Sequence, residues 1–151
     1  MGQKMTLDAL QTKLVELLST AFPDDYVVAD WMRRDTDAEQ ERALATRGFC
    51  IAVSPLLRAP LLNGEGGKGS ALRAHIIARL RTNPVTNSKP TGAGFEPLVA
   101  IQTAIAAVLS DRTGPKRFAL ATDGDAVVLA PEKEDTGLLS FDITFTYVVQ
   151  V

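Results

Sequence analysis

The sequence predicts an α+β fold: a mostly antiparallel sheet of about five to six strands with two helices packed on one face. Three observations predict it. Two segments, one near the N-terminus and one over Leu98–Ser110, carry apolar residues at helical spacing. The C-terminal stretch alternates apolar and polar residues at period two, the pattern of a strand with one face on a core. Between them lie β-branched and aromatic runs bounded by Gly, Pro, Asn and Asp, in the order helix, three strands, helix, three strands. At 151 residues the chain has the length of one domain and can bury about two-thirds of its unfolded surface, so 1–151 is expected as a single α+β domain.

Each element follows from its residues. Leu7, Leu10, Leu14, Leu17, Leu18 and Ala21 form the stripe of the first helix, with Thr6 as its expected N-cap and Pro23 as its stop. Tyr26–Met32 predicts a first strand. Arg33–Thr46 is polar, with Asp35, Asp37, Glu39 and Glu41 at every second position, a solvated acidic face. Phe49–Leu57 predicts a second strand, in which Pro55 marks an edge position or a break in pairing. After the glycine-rich Asn63–Ser70, Ala71–Thr82 predicts a third strand that returns along the second as a long hairpin. Leu72, Ala74, Ile76, Ala78 and Leu80 share one of its faces; Arg73, His75, Ile77, Arg79 and Arg81 share the other.

Asn83–Phe95, dense in Pro, Gly, Asn and Ser, predicts a long loop. Glu96 and Pro97 suit the start of the second helix, whose body is apolar nearly all round: Leu98, Ile101, Ala104, Ile105, Val108 and Leu109 on one face, Val99, Ala100, Ala106 and Ala107 elsewhere. Such a helix is covered on more than one side, by its own chain or by a neighbouring subunit. Arg117–Ala130 predicts a hairpin turning at Asp123-Gly124. The last strand alternates Phe141, Ile143, Phe145, Tyr147, Val149 and Val151 with Asp142, Thr144, Thr146 and Gln150.

Composition narrows the function. Lys plus Arg number 16 against 18 acids, a net charge of -2, which argues against a dedicated nucleic-acid binder and its many unopposed cations. Cys50 is the one cysteine, so no internal disulfide is expected. Met1–Met5 leads into an amphipathic segment, not a signal sequence, and no run reaches the roughly 18–20 apolar residues of a membrane span. Gly67-Lys68-Gly69-Ser70 imitates a phosphate-binding loop, but glycine follows the lysine and a strand follows the loop. Asp35, Asp37 and Glu39 open like a calcium loop, but Gln40 stands where glycine is needed and Thr46 where an acid is needed. One histidine and one cysteine cannot complete a zinc site, and no serine sits in a nucleophile elbow. No catalytic, cofactor or metal residue is therefore assigned, and a non-enzyme is expected. Arg73, Arg79 and Arg81, with His75 between them, form a solvated strand face or a contact for carboxylates such as Asp35, Asp37 and Glu39 of a neighbouring copy. In a symmetric ring such unlike patches meet head to tail.

Three stretches carry a resemblance: the first helix leading into Tyr26-Val27-Val28; Ala74-His75-Ile76-Ile77-Ala78-Arg79-Leu80-Arg81 running into Thr82-Asn83-Pro84-Val85-Thr86-Asn87 and the alanine-rich helix; and Phe141-Asp142-Ile143-Thr144-Phe145-Thr146-Tyr147. In element order over most of its length the chain resembles the tail-terminator and tail-completion (neck) proteins of tailed bacteriophages. The resemblance implies a homo-oligomer, most often a hexameric ring, that caps the tail tube protein and joins the head-tail connector protein. It implies a virion location, with host cytoplasm during assembly, and no cofactor or catalytic residue. Gly64–Gly69, with Lys68, and Asn83–Phe95 would serve as contact arms. The competing reading is a small-ligand binding or regulatory α+β domain, since helices packed on a sheet serve many such modules.

Overall fold

The sheet is built around two long strands, β3 (Ala71–Thr82) and β6 (Leu139–Gln150), antiparallel along their whole length from Ala71↔Gln150 to Thr82↔Leu139. The computed structural model describes residues 5–23, 26–29, 34–62, 70–111, 117–131 and 137–150, with side chains excepted for 34–37 and 130–131. On the outer side of β3 lies β2 (Phe49–Val53), antiparallel, and beyond it β1 (Val27–Ala29), parallel to β2. On the outer side of β6 lie β4 (Ala119–Leu120) and β5 (Val127–Pro131), both antiparallel to it. The result is the expected α+β fold with a six-stranded, mostly antiparallel sheet.

Alternation decides which side chains enter the core. Phe49, Ile51 and Val53, Ala74, Ile76, Ala78 and Leu80, and Ile143, Phe145, Tyr147 and Val149 all point to one face. Helix α1 (Ala9–Leu18) lays Leu10, Leu14, Leu17 and Leu18 on that face, and α4 (Pro97–Leu109) adds Ala100, Ile101, Ala104 and Val108. Lys13 and Asp111, 3.5 Å apart, link the two helices at their outer side.

The opposite face carries a third long helix that the period-two acidic pattern hides. Arg34–Thr46 forms α2, the crossover between the parallel β1 and β2. Among its described side chains only a thin apolar stripe, Ala43 and Leu44, is buried on Cys50, so its apolar signal is weak. In a helix, residues two apart lie about 200° apart. Asp35 and Glu39 therefore fall on one side of α2 and Asp37 and Glu41 on nearly the opposite one. The helices thus do not all pack on one face.

Other boundaries also shift. Asp8, not Thr6, precedes the first helical residue; Thr6 accepts from the Ala9 N–H at 3.1 Å in a turn ahead of it. Of Tyr26–Met32, Val27–Ala29 is strand, while Asp30–Arg33 lie outside the described residues. The break marked by Pro55 is real. Val53 pairs with Ala78, but the next bridge joins Arg58 to His75, two residues out of step. At the break the Ile77 N–H donates to Ser54 Oγ at 3.1 Å, a side chain standing in for the ladder.

The predicted loop after β3 contains a short helix, α3 (Pro84–Asn87), capped by Asn83, whose side chain accepts from Thr86 N–H. The buried Asn87 holds the remainder of the loop: its Nδ2 donates to the Phe95 carbonyl at 2.6 Å and its Oδ1 accepts from the Phe95 N–H at 3.1 Å. Asn83–Phe95 is therefore a tethered segment. The α4 start is as expected, with the Glu96 carboxylate accepting from Val99 N–H at 2.9 Å. Its inward face is rotated from the expected one, since Ala100 is buried and Leu98 is 66% exposed.

The Asp123-Gly124 hairpin is replaced by another arrangement. β4 and β5 pair end to end with β6 rather than with each other. The Ala121 N–H donates to the Thr144 carbonyl and the Thr144 N–H to the Ala126 carbonyl, so residues 122–125 bulge out from a single broken edge strand. A twelve-residue β6 offers this segment a longer ladder than a two-stranded hairpin could.

Candidate assembly surface

The cross-strand register places the basic residues of β3 on the sheet face opposite α1 and α4. Cys50 and Ser140 flank Arg81, Ala52 and Asp142 flank Arg79, and Thr146 lies beside His75. Arg79 grips Asp142 with both arms of its guanidinium, Nε to Oδ1 at 2.7 Å and Nη2 to Oδ2 at 3.0 Å. Arg81 Nη1 donates to Gln40 Oε1 on α2 at 3.2 Å. Arg73 is half-buried on the same face. The structure brings these three arginines together in one row, and two of them already hold partners within the chain.

The predicted acidic residues all belong to α2. Glu39 is exposed on α2; Asp35 and Asp37 belong to its first turn, their side chains outside the described set. Lys68 lies outside the described residues.

Sequence reasoning placed His75 on this face but missed its partners. His75, 3% exposed, has Nδ1 3.1 Å from the Arg73 carbonyl and Nε2 3.3 Å from Asp123 Oδ1. Asp123 also takes an ion pair from Arg58. Arg58 comes from the irregular continuation of the β2 arm and Asp123 from the β4–β5 bulge, so the triad ties both to the sheet. Desolvation pushes the Asp123 carboxyl upward, but hydrogen bonds from Arg58, its own backbone and His75 outweigh that and hold it below the ordinary 3.8. The sign follows: a carboxylate with a lowered folded pKa stabilises the fold above its unfolded pKa, and that contribution is lost as pH falls through the folded value. Asp123→Asn is therefore expected to flatten the acid limb of the stability curve below about pH 4. Urea midpoints measured from pH 2 to 7 check this; identical acid limbs in the two proteins would show that the triad does not form.

Two further features are an apolar flank and a groove of mixed lining. Between the inward faces of α4 and solvent runs a flank of Leu98, Val99, Ile105, Ala106 and Leu109 interrupted only by Gln102; Leu98 is 66% and Val99 59% exposed. Beside β1 lies an open groove of about 560 Å³ lined by Val27, Val28, Glu39, Arg42, Ala43, Thr46 and Arg47. The Arg47 guanidinium sits 4.8 Å above the Tyr26 ring and forms part of that wall. Among the described residues there is no group of three or more His, Cys, Asp or Glu able to hold a metal, and no helix long and apolar enough to cross a membrane.

Fold and surface together define an α+β protein in which His75, Arg79 and Arg81 are engaged within the chain and an apolar flank of α4 stays exposed. No family model matches the chain, and no curated protein does. Among solved structures it is similar to a chain in the virion of a native gene transfer agent particle, at a TM-score of 0.44 and 15% identity, covering 94% of this chain and 95% of that one.

Proposed function

We propose that this chain is a non-enzymatic structural protein of a phage-like virion. It assembles with copies of itself into a ring, a hexamer in the finer form of the proposal, that caps the tail tube and joins it to the head-side connector. The observation that carries assembly is the uncovered α4 flank, where Leu98 and Val99 stand exposed on a helix with one polar residue on that side. Covering the exposed part of each of these side chains is worth about 1–2 kcal/mol, repeated at every interface of a ring. The element order that resembles tail-terminator and neck proteins supports the place in the virion. Arg73 and Glu39 are outer contacts in this proposal, with Lys68, Asp35 and Asp37. Arg79 and Arg81 contribute by sharing donors that Asp142 and Gln40 already engage.

Light scattering on the eluting protein and negative-stain images at micromolar concentration test the proposal. A ring is expected, and Leu98→Lys with Val99→Lys is expected to weaken assembly at least ten-fold while the monomer stays folded. A wild-type protein that remains monomeric at tens of micromolar overturns it.

A further inference from the structure

The two margins of the sheet are unlike. At one, β1 is paired with β2 alone among the described residues, and its apolar Val27 and Val28 line the groove walled by α2. At the other, β5 is paired among the described residues with β6 alone, and Val127, Val128 and Leu129 are 37%, 42% and 53% exposed. Edge strands of monomers are commonly protected by charge, bulges or a covering element. Successive residues of β5 point to opposite faces, so this strand is apolar and open on both. The Thr144 N–H donates to the Ala126 carbonyl at 2.9 Å. Antiparallel alternation then turns the peptide groups of Val128 and Ala130 toward β6 and those of Val127 and Leu129 outward. Pro131 falls in the outward set and ends the free row of donors.

We propose that β5 of one copy enters the β1–α2 groove of the next copy, so that the sheet continues from subunit to subunit. This rests on the homo-oligomer reading above and names the strands that make its interface. The margins complement each other in three ways. One is an open strand and the other a slot beside an open strand, and both lack a second strand partner among the described residues. The slot has a valine floor, which suits Val127, Val128 and Leu129. Its wall carries Arg42 and Arg47 against one acid, Glu39, and the approach to β5 carries the exposed Asp125. Two different margins of one sheet also meet the head-to-tail requirement of a ring, which a β5–β5 contact across a twofold axis does not.

The test uses the full chain in a Cys50→Ala background. Val28→Cys, at the middle of β1, is mixed and oxidised in turn with Val128→Cys and Leu129→Cys, which place the thiol on either face at the middle of β5. A disulfide-linked pair is expected from one mixture, whether the strands meet parallel or antiparallel. Separately, Leu129→Pro removes an outward N–H and leaves the β6 ladder intact. Its melting temperature as a monomer is expected to match wild type within about 2 °C, while self-association weakens at least ten-fold. A ring that survives Leu129→Pro and forms no mixed disulfide overturns the edge pairing and leaves the assembly reading standing. Linkage of the β5 variants to themselves alone overturns it in favour of a twofold contact. A monomeric wild type overturns the assembly reading itself.

Discussion

Replacing Phe49 by alanine is expected to destabilise the protein by about 3–5 kcal/mol, read as a fall in urea midpoint at unchanged slope. Phe49 is 1% exposed and opens β2, where it pairs with Thr82. Its ring lies 4.9 Å from Phe95, 5.8 Å from Phe22 and 6.2 Å from Tyr26, centroid to centroid. Those partners come from three places: the turn after α1, the residue before β1, and the segment between α3 and α4. Each is fixed by its own backbone bonds, Phe95 by Asn87 and Tyr26 by its N–H to the Pro23 carbonyl. They cannot all close on the space that a deleted ring leaves, so the cavity term adds to the lost transfer energy. The aromatic contacts add about 0.5–1.5 kcal/mol per pair. Against a total stability of about 5–15 kcal/mol, the loss is a large fraction. Phe49→Leu keeps most of the volume and is expected to cost less than half as much. A change below about 1 kcal/mol for the alanine variant would mean that the cluster does not hold these elements together.

What could be read from the sequence follows from how local each signal is. β3 was legible to its ends because its alternation is long and bounded by a glycine-rich stretch and Asn83-Pro84. α4 was legible because Glu96-Pro97 is a helix start in itself. α2 was not, because its charges obscure an apolar stripe of two residues; its Ala, Glu, Gln and Arg content was the available sign. Asp123-Gly124 is a strong local turn signal that lost to a non-local one, the twelve-residue ladder offered by β6. The candidate surface divides the same way. That Arg73, His75, Arg79 and Arg81 share a face follows from period two. That Arg79 meets Asp142 depends on the β3–β6 register, and that His75 meets Asp123 depends on a bulge 48 residues away.

Gly48→Ala is expected to cost about 3–5 kcal/mol, because strain and a backbone clash coincide there. Gly48 ends α2 with φ +74°, its N–H donating to the Ala43 and Leu44 carbonyls, both at 3.1 Å. A side chain in that left-handed conformation alone costs about 1–2 kcal/mol. An added Cβ would also overlap Asn87 N and lie 2.8 Å from both the Asn83 oxygen and Asn87 Cα, all backbone atoms of α3 and its cap. They cannot rotate away as a flexible side chain would. The Gly48 carbonyl accepts from Thr82 Oγ1 at 3.0 Å and from Asn83 N–H at 2.8 Å, so moving α3 strains those bonds and the Asn87 clamp on Phe95. Each buried peptide group left unmatched costs about 1–3 kcal/mol. Two other glycines separate the contributions. Gly94 has φ +71° but nothing within 4 Å of an added Cβ, so Gly94→Ala isolates the backbone strain. Gly92 has no positive φ, yet its Cβ would overlap the Thr86 oxygen and lie 2.6 Å from the Asn87 oxygen, so Gly92→Ala isolates the clash. Urea denaturation of the three variants is expected to rank Gly48 as most costly, Gly92 next and Gly94 least. If Gly48→Ala falls no further than Gly94→Ala, α3 does not rest on the end of α2, and the tether that positions Phe95 in the aromatic cluster must lie elsewhere.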